Sequence, residues 1–390
     1  MRRLAQVLFW SVISAAFIGP GTVTTAASAG AGYGLALLWA LAFSTFACLV
    51  LQEASARLTV VSGRDLGEAI RERFSGGGLA AFVPMAVLLA LVLGCAAYEA
   101  GNLLGGVAGA VLATGLSKTG LTLGAGALAF VLLWLGTTRT VPRVLGGVVA
   151  FMGVAFLLTA LRLGPEPAAL ARGALWPRLP PGSPLLVMGL IGTTVVPYNL
   201  FLGSGIARGQ KLGELRFGLT VAIVLGGAIS MAVLVVGTAV DPPLAFDALG
   251  RALRERLGGW ADALFAYGLL AAGLSSAITA PLAAAVAARS LRARPAAAGE
   301  GPEERTWRYR SVWLLVLLTG VGFSLAEVQP IPAIILAQVL NGILLPFVAV
   351  FLLLLVNDGR LMGREGLNGA LSNAAMGLVV AVTVLLGLLG

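Results

Sequence analysis

The sequence predicts an all-α integral membrane protein, and three observations carry that reading. Of its 390 residues 58% are hydrophobic and only 11% charged, where a soluble domain carries about 25% charged residues. Eleven apolar runs are long enough to cross a bilayer, a crossing that takes about 20 residues of helix. The first and sixth of these runs are broken at matching depth, the pattern of a transporter built from two inverted repeats.

The runs cover 7–33, 36–60, 79–112, 119–136, 144–162, 184–207, 217–240, 261–288, 311–328, 331–356 and 369–389. They form one membrane domain over 1–390, with repeat one at about 1–162, repeat two at about 184–356 and an extra helix at about 369–389. The first run carries no small-residue cleavage site and continues to spanning length, so a retained span is expected rather than a cleaved signal. The loops are short. The segment 163–183 is rich in Pro and Gly, and 241–260 contains Ala252-Leu253-Arg254-Glu255-Arg256-Leu257, a candidate amphipathic helix on the outer surface. The Arg-, Pro- and Glu-rich segment 289–310 reads as a solvated topology anchor.

The net charge is +9, and its distribution assigns it to topology. With Arg2 and Arg3 on the inner side, nineteen basic residues face inward, among them Arg57, Arg64, Arg71, Arg73, Arg139, Arg143, Arg208, Lys211 and Arg216. Seven face outward: Lys118, Arg162, Arg172, Arg178, Arg251, Arg254 and Arg256. Positive loops stay inside, so the N-terminus is expected in the cytoplasm and the C-terminus outside the cell membrane. No nucleic-acid surface follows from this charge.

The first run is interrupted at Gly19-Pro20-Gly21, followed by Thr22, Thr24 and Thr25. The sixth is interrupted at Thr193-Thr194-Val195-Val196-Pro197-Tyr198-Asn199. Irregular backbone at membrane depth is tolerated only where it is buried in protein or lines a cavity, and half-helix ends there expose N–H and C=O groups to a ligand. Polar residues that can line such a cavity are Thr22, Thr24, Thr25, Thr193, Thr194, Tyr198, Asn199, Ser275, Ser276, Gln338 and Asn341. Most of them cluster near the two breaks, which predicts a neutral, hydroxyl-rich pocket. Gly101, Gly105 and Gly109 recur every four residues and read as close helix packing.

Glu53, Glu99 and Glu327 lie within apolar runs, where a charge is costly unless paired or solvated. Glu99 has no basic residue at helical spacing and is a candidate for proton or ion coupling. Glu53 is a second candidate, although Arg57 four residues on offers an intrahelical partner. Glu327 falls at the outer end of the ninth run and reads as interfacial. With no histidine in the chain, imidazole ligands and Ser-His-Asp chemistry are excluded. Cys48 and Cys95 form no disulfide framework. No nucleophile–base pair or cofactor motif is present, so neither an enzyme nor a bound cofactor is expected.

The stretch Phe17-Ile18-Gly19-Pro20-Gly21-Thr22, with Ala29-Gly30-Ala31-Gly32-Tyr33-Gly34 and Leu37-Leu38-Trp39, resembles the first helix of the Nramp metal transporters. Leu51-Gln52, Ala54-Ser55-Ala56-Arg57-Leu58 and Ser62-Gly63-Arg64-Asp65-Leu66 continue the match. Pro197-Tyr198-Asn199-Leu200-Phe201-Leu202 is similar to the sixth-helix motif, and Gly273-Leu274-Ser275-Ser276-Ala277-Ile278-Thr279 to the eighth. Gln338, Leu345-Pro346-Phe347 and Asn357-Asp358 resemble the tenth. The resemblance implies the LeuT-type fold: two inverted repeats of five helices plus an eleventh, with helices one and six broken.

Where the family motif reads Asp-Pro-Gly-Asn this chain has Gly19, Pro20, Gly21 and Thr22, and where it reads Met-Pro-His the chain has Val196, Pro197 and Tyr198. A carboxylate offsets a cation's charge and a thioether favours transition metals, so the ion site of the family is rebuilt here. Glu99 matches a third-helix glutamate that the family uses near its proton path, while the aspartate three residues earlier is Ala96. The breaks and the matched motifs together make Gly19, Thr22, Thr193, Val196, Tyr198 and Gln338 the expected substrate site, with Glu99 and Glu53 as the coupling candidates. The broken repeats point to alternating access, and the resemblance implies transport of a divalent cation of the Mg or Mn class, coupled to protons; one chain is expected to suffice, with lipid as its surroundings. A small organic solute such as an amino acid is the alternative, since half-helix ends also hold carboxylates. A non-transporting scaffold would instead leave the pocket collapsed and the acids paired.

Overall fold

The computed structural model describes residues 18–76, 82–136, 140–292 and 306–389. The expectations for the first half of run one, for Arg2, Arg3 and Arg139, and for most of segment 289–310 lie outside these residues, and the Arg143 side chain is likewise not described. Every element among the described residues is a helix.

Helix α1 (Pro20–Tyr33) is the described helix of the first crossing, and a 3₁₀ turn at Gly34–Leu37 joins it to α2 (Leu38–Ser62), the second. α2 ends at Gly63, whose φ of 72° is the left-handed conformation that only glycine adopts without strain. After α3 (Leu66–Arg73) come α4 (Phe82–Thr114), α5 (Lys118–Leu135) and α6 (Thr140–Leu163), crossings three to five. α7 (Pro167–Leu175) precedes the sixth crossing, which is split into α8 (Pro184–Thr194) and α9 (Pro197–Ala207). α10 (Leu212–Gly237) is the seventh crossing, α11 (Phe246–Leu257) a connector, and α12 (Trp260–Arg292), α13 (Trp307–Leu325) and α14 (Pro330–Val356) are crossings eight to ten. α15 (Gly359–Gly366) leads to α16 (Ala370–Leu389), the eleventh.

Nine stretches among the described residues are long and apolar enough to span a membrane. One of them, Pro20–Ser62, holds both α1 and α2. α13 falls outside the nine because Arg308 and Arg310 stand in its first turn. All eleven expected runs are therefore represented.

Three of the four short connecting helices, α3, α7 and α15, were not predicted by hydropathy. α3 is set by a capping box: Asp65 Oδ1 accepts from the Glu68 amide and Glu68 Oε2 from the Asp65 amide, each at 2.9 Å. α7 starts with Pro167 at its first position, where a missing N–H costs nothing. α15 follows Asp358, whose Oδ1 accepts from the Arg360 amide at 2.8 Å. α11 matches the expected amphipathic helix but starts earlier and buries Phe246, Leu249 and Leu253. On its wet face Arg251 donates to Asp247 at 2.6 Å, and that hydrogen bond holds the Asp247 carboxyl below its usual range.

The crossings that carry the site are pressed together by small residues. A Cβ on Gly106 of α4 would lie 2.9 Å from the Cα of Gly273 in α12, and one on Gly109 would lie 2.7 Å from the Ala266 carbonyl. A Cβ on Gly105 would collide with Pro20. In lipid, where apolar burial between helices gains little, such close backbone approach is what drives association. It fixes the third crossing against both the first and the eighth.

Candidate functional site

Both breaks have the same covalent cause. A proline cannot donate to the helix ladder and its ring forces the preceding residue into extended backbone. Gly19 accordingly has φ −96° and ψ 176°, and α1 begins at Pro20. Val196 has φ −79° and ψ 124°, and α9 begins at Pro197. The sixth crossing is thus helical to Thr194, open at Val195 and Val196, and helical again. Neither α1 nor α9 has a side-chain cap at its start, so their first backbone N–H groups face the breaks as partial positive ends, while the last carbonyls of α8 supply a partial negative end.

The two breaks meet. Thr22 Oγ1 and Thr193 Oγ1 are 2.9 Å apart in a buried hydrogen bond between α1 and α8. The Tyr198 ring, on the first turn of α9, meets Tyr98 of α4 edge-on at 5.5 Å. A Cβ on Gly19 would stand 3.4 Å from the Tyr98 hydroxyl, 3.5 Å from Ser276 Oγ and 4.0 Å from Asn102 Oδ1. From α14, the Gln338 side chain lies over Gly21, where a Cβ would be 2.6 Å from its Cδ. Gly19, Thr22, Thr193, Val196, Tyr198 and Gln338 are all buried and converge on this centre.

Polar atoms without protein partners are carried by the helices that form it. Among the described residues these include both amide atoms of Gln338 and of Asn199, Oγ1 of Thr24 and Thr25, Oδ1 of Asn102 and Oε1 of Glu99. An unpaired buried polar group costs about 1–3 kcal/mol, so such a concentration points to function rather than to packing.

Glu99 is fully buried but does not face the breaks directly. Its Cγ packs where a Cβ on Gly320 of α13 would stand, at 2.6 Å. Asn102 connects it inward: Nδ2 donates to Glu99 Oε2 at 3.4 Å, while Oδ1 turns toward Gly19. Tyr98 and Asn102 were absent from the expected cavity residues. Their four-residue spacing, one helical turn, was the available signal.

A family model described as Natural resistance-associated macrophage protein-like, Nramp, matches residues 11–390. The chain belongs to the Nramp family. The divalent metal cation transporter MntH of Deinococcus radiodurans is 31% identical to this Nramp chain, covering 99% of it and 89% of that protein. The MntH of Yersinia pestis is 27% identical over 70% of each. A mutant of the Eremococcus coleocola manganese transporter aligns with a TM-score of 0.76 at 22% identity, covering 99% of the Nramp chain and 86% of its own. Mhp1, a nucleobase-cation-symport-1 family transporter, aligns with a TM-score of 0.60 at 15% identity, covering 98% and 90%. These likenesses establish the LeuT-type fold and a multi-pass membrane transporter, not an enzyme.

The Nramp chain keeps Glu53 apart from the breaks. Glu53 accepts from Arg57 Nε at 3.3 Å, the intrahelical pair expected from spacing, and from Arg216 of α10 at 2.9 and 2.6 Å. Glu327 is exposed in the α13–α14 connection. On the end of the molecule that carries α3, Arg208 pairs with Glu68 and stands 3.7 Å from Asp65. Arg73 meets Asp358 at 2.7 Å, and Ser290 donates to Asp65 at 2.6 Å. These bonds tie α3 to the ends of crossings six, eight and ten.

Proposed function

We propose that this chain is a secondary transporter that moves a divalent metal cation by alternating access, holding the ion between α1 and the α8–α9 break. The observation that carries the reading is the buried Thr22–Thr193 bond, which joins the two half-helix ends from opposite repeats. The curated relatives are described as divalent metal cation transporters, and the fold neighbour as a manganese transporter. Among the described residues no three Asp, Glu or Cys side chains converge. The donors are hydroxyls, amides and the α8 carbonyls, a hard oxygen set that suits Mg²⁺ or Mn²⁺. Such a cation keeps part of its water, because neutral donors alone do not offset a bare divalent charge in hydrocarbon.

In this reading Glu99 exchanges the coupling proton and Asn102 transmits its state to the Gly19 side of the site. The ion pairs around α3 close one entrance and must part when that side opens. The repeats run over about 1–162 and 184–356, the N-terminus lies in the cytoplasm and the C-terminus outside. A second reading, a zwitterionic solute such as an amino acid, is favoured by one feature: the α9 N–H end and the α8 carbonyl end lie side by side at the break.

Changing Thr22→Ala together with Thr193→Ala removes both partners of the bond and strands neither, so folding should be little affected. Two hydrogen bonds to the ion's retained water, at about 1 kcal/mol each, amount to roughly a 30-fold loss of substrate affinity. Titration calorimetry of Mg²⁺ and Mn²⁺ on the purified variant checks this. Native affinity would place the substrate elsewhere.

A further inference from the structure

Away from the breaks, a cavity of about 510 Å³ opens between α2, α10 and α16. Its walls are apolar, with Phe46 and Leu49 on α2, Leu219 on α10 and Ala375 on α16. Leu371 at its rim is 85% exposed, as expected of a side chain facing acyl chains. One end holds Glu53, Arg57 and Arg216, two positive charges against one negative.

The two arginines differ. Arg57 is fully engaged: Nε on Glu53, Nη1 on the Gly366 carbonyl at 2.6 Å and Nη2 on Asn368. Arg216 reaches Glu53 through Nε and Nη2, and its side chain is 52% exposed, so part of it is open to the surroundings. From Phe46 to Arg57 a helix rises about 16 Å, roughly half of a 30 Å hydrocarbon core. The cavity therefore runs from a positive patch at membrane-surface depth to about the bilayer midplane, along the height of a single leaflet.

We propose that this cavity binds one anionic phospholipid, with its phosphate on Arg216 and one acyl chain lying against α2. The excess positive charge at one end selects an anionic headgroup over a zwitterionic one, and basic pockets between crossings are suited to such headgroups. The bound lipid joins the α2–α10 ion pair to α16.

The test is native mass spectrometry of the full chain in neutral detergent, with phosphatidylglycerol and phosphatidylcholine of identical acyl chains. One arginine near a headgroup gives about fivefold preferential retention of phosphatidylglycerol. Arg216→Gln should reduce that ratio to parity. Thr220→Trp and Ser372→Trp, at exposed cavity-wall positions, should fill the space and lose both lipids while the protein stays folded. Equal retention of the two lipids by the native chain would overturn the proposal. So would phosphatidylglycerol retention unchanged in both tryptophan variants, which decide the matter even if Arg216→Gln does not fold. Displacement of the lipid by inorganic phosphate alone would show a headgroup site without an acyl groove, and would equally overturn it.

Discussion

Glu99→Gln is expected to leave a folded transporter that equilibrates its substrate but no longer accumulates it when a pH gradient is imposed. The substitution keeps the shape of a fully buried side chain, and the new amide oxygen can still accept from Asn102 Nδ2. What is lost is the ability to take up and release a proton. Each coupled proton is worth about 1.4 kcal/mol per pH unit, which is about tenfold in accumulation at equilibrium. Proteoliposomes with an internal pH one unit above the external should therefore accumulate substrate about tenfold with the native chain and not at all with the variant. If the variant accumulates as well as the native protein, Glu99 has no part in coupling.

Restoring the ligands of the family motif should have the larger effect on selectivity. Gly19→Asp, Thr22→Asn and Val196→Met put back the carboxylate, amide and thioether that this chain has replaced. The backbone allows it: Gly19 has a negative φ of −96°, and its Cβ would meet the Tyr98, Ser276 and Asn102 oxygens only at van der Waals distances of 3.4 to 4.0 Å. Even outer-shell partners of a metal change affinity by about 10–100-fold, so two or three direct ligands should tighten Mn²⁺ binding by at least about 100-fold, and Mg²⁺ binding by less, because the carboxylate and amide serve both ions while the thioether serves only Mn²⁺. Calorimetric titration of the triple variant with the two ions checks this. Unchanged Mn²⁺ affinity would mean that the centre between α1 and α8 is not where the ion sits.

The crossings were legible in the sequence because each needs its own apolar run, and no other part of the chain can supply one. The breaks were legible because Pro20 and Pro197 act through covalent geometry, which tertiary structure does not override. α3, α7 and α15 were not legible in hydropathy, since a short helix at the surface has no spanning signal, although the Asp65–Glu68 capping box was there to be read. The place of Gly19 against Tyr98, Asn102 and Ser276 was hidden for another reason. Which face of α4 turns to the first crossing depends on how closely Gly106 and Gly273 let two backbones approach, and spacing along one helix does not encode that. Glu53 shows both cases at once. Its bond to Arg57 follows from a four-residue interval, while its bond to Arg216 comes from a helix far along the chain.

A divalent cation carried through a centre built of hydroxyls and amides must enter vesicles that hold this protein alone. Uptake of Mg²⁺ and of Mn²⁺ into proteoliposomes holding the purified protein, against protein-free liposomes, with and without an inward proton gradient, tests it most directly. Saturable uptake of at least one of the two ions, increased by the gradient, is the expected result. No uptake of either ion by folded protein would contradict it and turn the reading to an organic solute.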